Sequence, residues 1–550
     1  MKLDRYINGV ACLCVVGLAS LASCSDEWNQ HYETNGCVPD VSLMDLLRQD
    51  SRLQKFCQIV EKTQEDTLLT SSQTYTVWAP QNEALEGVDM NDMDALRRLV
   101  RNHIGRYTNP TSTSPDEQIH MLNNKIMSFK NASQYMDASI AEGNLVARNG
   151  VLHVMKDQIP YRPNVLERIA NDPDYSKVYE FITRWTYRKY DAGLSTTYDS
   201  VYVDYNPMMV DKVYGIGHLN VEDSLYTVIL PDNAAWDEAM TRLKPYFKAG
   251  AKLKGDDLKA YQDSVSESRA GQAILSGLTF SARKFQTAEG DFIEPTVYDS
   301  LFTVDRHLLY KENLQTYFNG YEREKVSNGW VYLAKGHLNM ADTCTWNPTI
   351  EIEGENFGDV KSDEGVSPNV RSITSDSYVR GVSNNSYLEI TPADNTHGAT
   401  FQFWQVLSGK YEIWVDYLPP IVDGMTQKAR GDYTFAYTTD EGTAPRTPQK
   451  TFRDNNYVLQ NAVEYEFVDG LPVIEEKEGV ISQKVTEIDI PIADYYDPMW
   501  CCDEKNGSTT LVTNTKLKVQ TRLSASENRD KVNWGRILRI DRVRLVPVIE

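Results

Sequence analysis

Hydrophobic positions along this chain follow two periods, and the second replaces the first near residue 345. A short apolar run comes before either. It extends from Val10 to Ala22, behind Lys2 and Arg5. The run is shorter than the ~20 residues that span a bilayer, so it predicts a signal peptide over residues 1–23. In the first part of the mature chain, short apolar strands are interleaved with helical periodicity. Leu96, Leu99, Val100, His103 and Ile104 recur at three- and four-residue intervals and predict a helix. From about Thr345 the helical period disappears and strict alternation takes over. Tyr411, Ile413, Val415 and Tyr417 fall on one face of a strand. Arg536 to Ile549 predicts a long closing strand, with Ile537, Leu538, Ile540, Val543, Leu545 and Val548. Gly and Asn/Asp turns separate the runs. The pattern over 345–550 predicts an antiparallel β-sandwich.

The interleaved part contains a repeat. Tyr75-Thr76-Val77-Trp78-Ala79-Pro80-Gln81-Asn82 returns as Tyr226-Thr227-Val228-Ile229-Leu230-Pro231-Asp232-Asn233. Each copy predicts a short strand ending at proline, which lacks the N–H for further pairing. The asparagine is expected to cap the turn that follows. Later, Asn149-Gly150-Val151-Leu152-His153-Val154 matches Asn328-Gly329-Trp330-Val331-Tyr332-Leu333, where Asn-Gly predicts a tight turn into a strand. These blocks resemble the fasciclin-type (FAS1) domain. The resemblance implies two α+β domains, over 42–161 and, with insertions, 165–342. It also implies adhesion through protein or glycan contacts.

The strands at Phe401–Pro420 and Ile537–Leu545 resemble those of galactose-binding-like jelly rolls, among them carbohydrate-binding modules. That likeness implies a structural Ca²⁺ between an acidic first strand and an aspartate on the last. Glu351, Glu353 and Glu355 lie on the expected first strand and Asp541 on the last. Hard oxygen ligands suit calcium, and Glu353, Glu355 and Asp541 form the candidate set. Solvated surface carboxylates are the competing reading.

Cys24 sits in Leu21-Ala22-Ser23-Cys24, where cleavage is expected. The segment resembles the lipobox of a bacterial lipoprotein, which implies that Cys24 is acylated and becomes the first mature residue. Ser25-Asp26-Glu27 resembles the export tag of surface lipoproteins in Bacteroides-like bacteria. Residues 24–41 then form a linker. The chain has 550 residues, 78 acidic against 56 basic, for a formal net charge of -22. That balance argues against nucleic acid as a partner. Lysine and arginine are scattered, so membrane attachment falls to Cys24 alone. Cys37, Cys57, Cys344, Cys501 and Cys502 remain, an odd number that excludes complete pairing. Cys37 with Cys57 is one candidate pair; Cys501 and Cys502 form a vicinal bridge or stay free thiols.

The chain carries no GxSxG elbow, HExxH, P-loop or EF-hand. The expectation is a non-catalytic protein without cofactor beyond the candidate calcium. His103 and His153 are expected as hydrogen-bonded core residues rather than a pH-sensitive pair. Trp414 shares its strand face with Glu412 and Asp416. An indole beside carboxylates suits sugar, with stacking plus acceptors for hydroxyls, unless a loop covers it. Tyr495, Tyr496 and Trp500 form a second candidate in a proline-broken aromatic loop. The expected function is an outer-membrane, cell-surface, lipid-anchored adhesion or glycan-binding protein, accessory to polysaccharide capture. The alternative is a structural protein partner of an outer-membrane transport complex, with no small ligand.

Overall fold

The computed structural model describes residues 40–549, apart from 171, 194, 196–199, 211–214, 249–255, 282–284, 286, 288–290, 341–345, 376, 424–426, 439–448, 460–465, 469–470, 474–477 and 494–514. It separates into two compact units that divide after Pro163. Among the described residues no helix is long and apolar enough to cross a membrane.

The first unit opens with helices α1 (Leu43–Gln49) and α2 (Gln54–Lys62). Ser42 caps α1 through a reciprocal exchange with Asp45. Strand β1 (Tyr75–Pro80) follows, buried at every position, then helix α3 (Met93–Asn102). The helix ends one residue before His103, and Ile104 starts strand β2 (Ile104–Arg106). The expected helix is therefore placed correctly but runs two residues too far. Strands β3 (Phe129–Asn131), β4 (Gln134–Tyr135), β5 (Ala138–Ala147) and β6 (Gly150–Met155) complete a sheet in the order β2-β1-β6-β5-β4-β3. Its centre is a parallel pair, with Tyr75 beside Gly150 through Pro80 beside Met155.

The second unit begins by rebuilding that centre. Helices α4 (Val165–Ala170) and α5 (Ser176–Thr183) lead to a hairpin of β7 (Tyr187–Tyr190) and β8 (Tyr202–Tyr205). Then come β9 (Tyr226–Pro231), α6 (Asn233–Leu243), α7 (Asp256–Gly277), β10 (Thr279–Ser281), β11 (Glu322–Val326) and β12 (Gly329–Ala334). The sheet order is β10-β9-β12-β11, and β9 pairs with β12 in parallel from Tyr226/Gly329 to Pro231/Ala334. Both halves of the repeat thus share one register.

The repeated asparagines explain why. Asn149 is buried; its Oδ1 accepts from the Leu43 N–H at 2.9 Å, and its Nδ2 donates to Leu69 and Ser71 carbonyls. Asn328 does the same with Val165, Leu219 and Val221. Each amide ties the first helix of its half to the central strands. The glycines that follow have φ of +144° and +136°, and a Cβ on either would lie within 1.8 Å of the carbonyl oxygen of Tyr75 or Tyr226. Asn82 and Asn233 depart from expectation. Their Oδ1 atoms accept from Lys55 and Lys177, in the first turns of α2 and α5, instead of capping their own turns. Asp232 takes the local role, accepting from Ala235 at 2.8 Å.

Beyond residue 345 two sheets enclose one core. The first carries β13 (Ile350–Glu353), β15 (Val366–Ser372), β16 (Ser386–Pro392), β18 (Gly409–Tyr417), β21 (Ile481–Ile490) and β23 (Leu538–Val548). The second carries β14 (Val360–Ser362), β17 (Gly398–Gln402), β19 (Ala429–Thr438), β20 (Gln449–Leu459) and β22 (Lys516–Thr521). All pairings within these two sheets are antiparallel, in the orders β15-β16-β23-β18-β21, with β13 also on β23, and β14-β17-β22-β19-β20. Tyr411, Ile413, Val415 and Tyr417 face Phe401, Phe435, Leu517 and Val519 in the shared interior. This is what alternating hydrophobicity dictates. The chain is thus a multi-domain protein with extensive β-sheet. The expected first strand ends at Glu353, so Glu355 lies just past it.

Candidate functional site

Strand β18 lies between β21 and β23 and turns residues 412, 414 and 416 away from the core. Because β23 runs antiparallel beside it, Trp414 pairs with Arg544 and Asp416 with Arg542. The Trp414 indole N–H donates to Glu412 Oε2 at 2.9 Å, and the Arg544 guanidinium lies 5.6 Å from the ring centroid. Glu412 also accepts from Lys484 on β21. Lys484 and Trp414 hold the Glu412 carboxyl below its ordinary range. Trp414 remains half-buried.

Asp416 has a different place from the one its sequence position suggested. Its side chain is 1% exposed. Arg544 reaches both oxygens, at 2.7 and 2.9 Å, and Arg542 adds a bond at 2.9 Å. Burial alone would raise its pKa; Arg544, Ser482 and Arg542 outweigh it and hold the carboxyl low. Asp416 is therefore the buried keystone of a charge ladder and not an acceptor open to ligand. Arg542, Arg544 and Lys484 were missed from sequence. The signal was present in Asp541-Arg542-Val543-Arg544, whose alternate arginines require carboxylates across the ladder.

A second cluster joins the first and last strands of the sandwich. Ser383 donates its N–H to Asp541 Oδ1 at 2.9 Å and its hydroxyl to Glu353 Oε1 at 2.8 Å. Asn384 donates to Glu355. Oε2 of Glu353 and Oε2 of Glu355 are buried without a hydrogen-bond donor. Burial, reinforced by the Glu353 charge, pushes Asp541 up to about 7, and burial likewise raises Glu353. Orphaned carboxylate oxygens and a raised aspartate fit a cation-binding environment. The side chains do not, however, converge into a closed shell: among the described residues no three His, Cys, Asp or Glu side chains are grouped to hold a metal ion.

His103 and His153, both in the first unit, are structural. His103 Nδ1 lies 2.8 Å from the Leu99 carbonyl and Nε2 accepts from Ile159 N–H. His153 uses the opposite tautomer, with Nε2 on the Asn109 carbonyl and Nδ1 accepting from Asn144. Burial lowers both to about 4. Cys57 is a free, buried thiol. Cys24, Cys37, Cys344, Tyr495, Tyr496, Trp500, Cys501 and Cys502 lie outside the described residues.

Residues 51–159 match the family described as the Fasciclin domain. That segment is a fasciclin domain. No curated protein matches the chain. Among solved structures it is similar to a FAS1 domain pair from the insect cell adhesion molecule fasciclin I, at 14% identity, covering 53% of this chain and 98% of that one, with a TM-score of 0.19. It is also similar to the C-terminal family 22 carbohydrate binding module of Clostridium thermocellum Xyn10B, at 12% identity, covering 36% and 94%, TM-score 0.21. A third is the Podospora anserina GH26-CBM35 β-(1,4)-mannanase, at 13% identity, covering 37% and 28%, TM-score 0.19. Likenesses at these scores add nothing to the fold, which rests on the registers given above.

Proposed function

We propose that this protein is a lipid-anchored surface protein that binds glycans and catalyses no reaction. The observation that carries the reading is Trp414. It is a half-buried indole fixed by Glu412 and Arg544 on the outward face of a rigid sheet, with Lys484 beside it. A fixed aromatic edge among charged donors and an acceptor suits the C–H face and hydroxyls of a sugar. The fasciclin domain is consistent with an adhesive role. Attachment through acylated Cys24, display on the outer membrane and service to polysaccharide capture belong to the same proposal. A glycan array probed with the mature chain is expected to reveal one bound saccharide class; silence across a broad array overturns the reading.

The second reading, a structural partner in an outer-membrane assembly, is favoured by the β7–β8 hairpin. Its strands pair only with each other among the described residues. Tyr187, Tyr190 and Tyr202 are about half exposed, and cross-strand pairs Tyr187–Tyr205 and Tyr190–Tyr202 present rings on both faces. Crosslinking to a membrane protein that is lost on replacing these tyrosines with serine would favour it. We further propose that Glu353, Glu355 and Asp541 take up a structural Ca²⁺, supported by the two orphaned oxygens.

A further inference from the structure

The described cavity of note lies away from Trp414, inside the second unit, where the repeat meets the sandwich. Its volume is about 410 Å³, within the ~300–1,000 Å³ of small-molecule sites. Four segments wall it: the last turns of α7, the Thr303–His307 turn, residues 346–351, and the loop after β17. The two halves are tied together beside it. Ser408 donates from its backbone and its hydroxyl to carbonyls of Tyr246 and Pro245, and Trp346 packs against Tyr246 at 4.7 Å between ring centroids. The cavity is therefore a fixed feature of the unit rather than a gap between loose parts.

Its lining has a definite chemistry. Two indoles contribute. Trp346 is buried, and half-buried Trp404 is pinned by its N–H on Asp359 at 2.6 Å. Opposite polarity comes from His307, Asn347 and Gln405. Asp305 accepts from Ser276 at 2.8 Å and from Thr303, and lies 3.1 Å from His307 Nδ1. Burial alone would raise it, but His307, Thr303 and Ser276 hold it ionised. With Nδ1 turned to Asp305, the imidazole has Nε2 on its far side. Gln405, in the lining, and Arg306, between the lining residues Asp305 and His307, hold φ at +56° and +70° without being glycine. Such conformations are strained and persist where the surroundings impose them. No lysine or arginine is among the lining residues, while Asp305 and Glu351 are. The two carboxylates are already engaged, Glu351 with Arg542 at 3.0 Å and Asp305 with Ser276, Thr303 and His307, so the lining suits a neutral polar ligand better than an ion.

We propose that this cavity is a second binding site, for a neutral saccharide of one or two rings. Trp404 and Trp346 supply the apolar walls, and His307 and Gln405 bond to the hydroxyls. The proposal goes beyond the glycan reading, because the site is separate from Trp414 and takes a short ligand end-on instead of a polymer lying along a sheet.

The test is saturation-transfer NMR, followed by calorimetry, of the detergent-extracted mature chain with glucose, galactose, mannose, xylose and their β-linked disaccharides. The double variant His307→Leu/Gln405→Gly removes both polar contacts, and glycine suits the left-handed φ at 405. The expected result is one sugar bound by the parent and at least about tenfold more weakly by the double variant. Undiminished binding by the double variant overturns the cavity site and leaves the glycan reading intact. No binding of any panel sugar overturns the cavity site, and a positive glycan array alongside that silence would keep the surface reading.

Discussion

Asn149 and Asn328 carry the structural logic of the repeat in single side chains. Each is buried and satisfies one helix N–H and two carbonyls. Truncation would leave several buried groups without partners. Asn149→Ala is expected to cost about 2–4 kcal/mol, read by chemical denaturation; a change under ~1 kcal/mol would deny the bracing role. The histidines make a prediction with a sign. Their folded pKa, about 4, lies below the ordinary 6.5. The stability they confer is present above 6.5 and lost as pH falls toward 4, because protonation removes the acceptor nitrogen that holds Ile159 or Asn144. Replacing His103 by Gln should flatten that acid limb. At Asp541 the sign reverses. Its folded value, about 7, lies above 3.8. Its contribution is complete below 3.8 and lost as pH rises through 7. Asp541→Asn should abolish that loss.

At the scale of elements, the strands were the legible part. The Tyr-Thr-Val block, its terminal proline and the Asn-Gly pair located both central strands of each half, because burial on a parallel pair leaves a continuous apolar run. Period-two alternation located β18 and β23. What stayed hidden depends on partners distant in sequence. Asn82 and Asn233 cap helices some 27 and 56 residues back. Asp416 was read as an exposed acceptor because its strand neighbours do not reveal the arginines at 542 and 544. The expected Asn-Gly turns are present at 148–149 and 327–328, but the sequence does not reveal that a backbone carbonyl stands where a Cβ on Gly150 or Gly329 would be. Gly150→Ala should therefore prevent folding of the first unit, seen as lost cooperative melting; a cooperative transition at the parent temperature would contradict this. At the junction of the first and last sandwich strands, Ca²⁺ at pH 7.5 is expected to raise melting by ~3 °C or more and a chelator to reverse it. Asp541→Asn should remove the response, and a parent indifferent to both reagents would eliminate the metal.

For the whole molecule, two units with opposite titrating groups should respond oppositely to pH. On acidification from pH 7 to 4 the transition of the first unit moves down, while the Asp541 contribution to the second grows. Scanning calorimetry across that range reads both. Anchoring is a separate matter: Cys24→Ser should abolish incorporation of labelled palmitate and release the protein from the membrane fraction. Recognition is the central claim, and calorimetry tests it most directly, using the leading saccharide from the array against the parent and Trp414→Ala. The account predicts at least about tenfold weaker binding by the variant, with melting nearly unchanged. Equal affinity in the two proteins would contradict it.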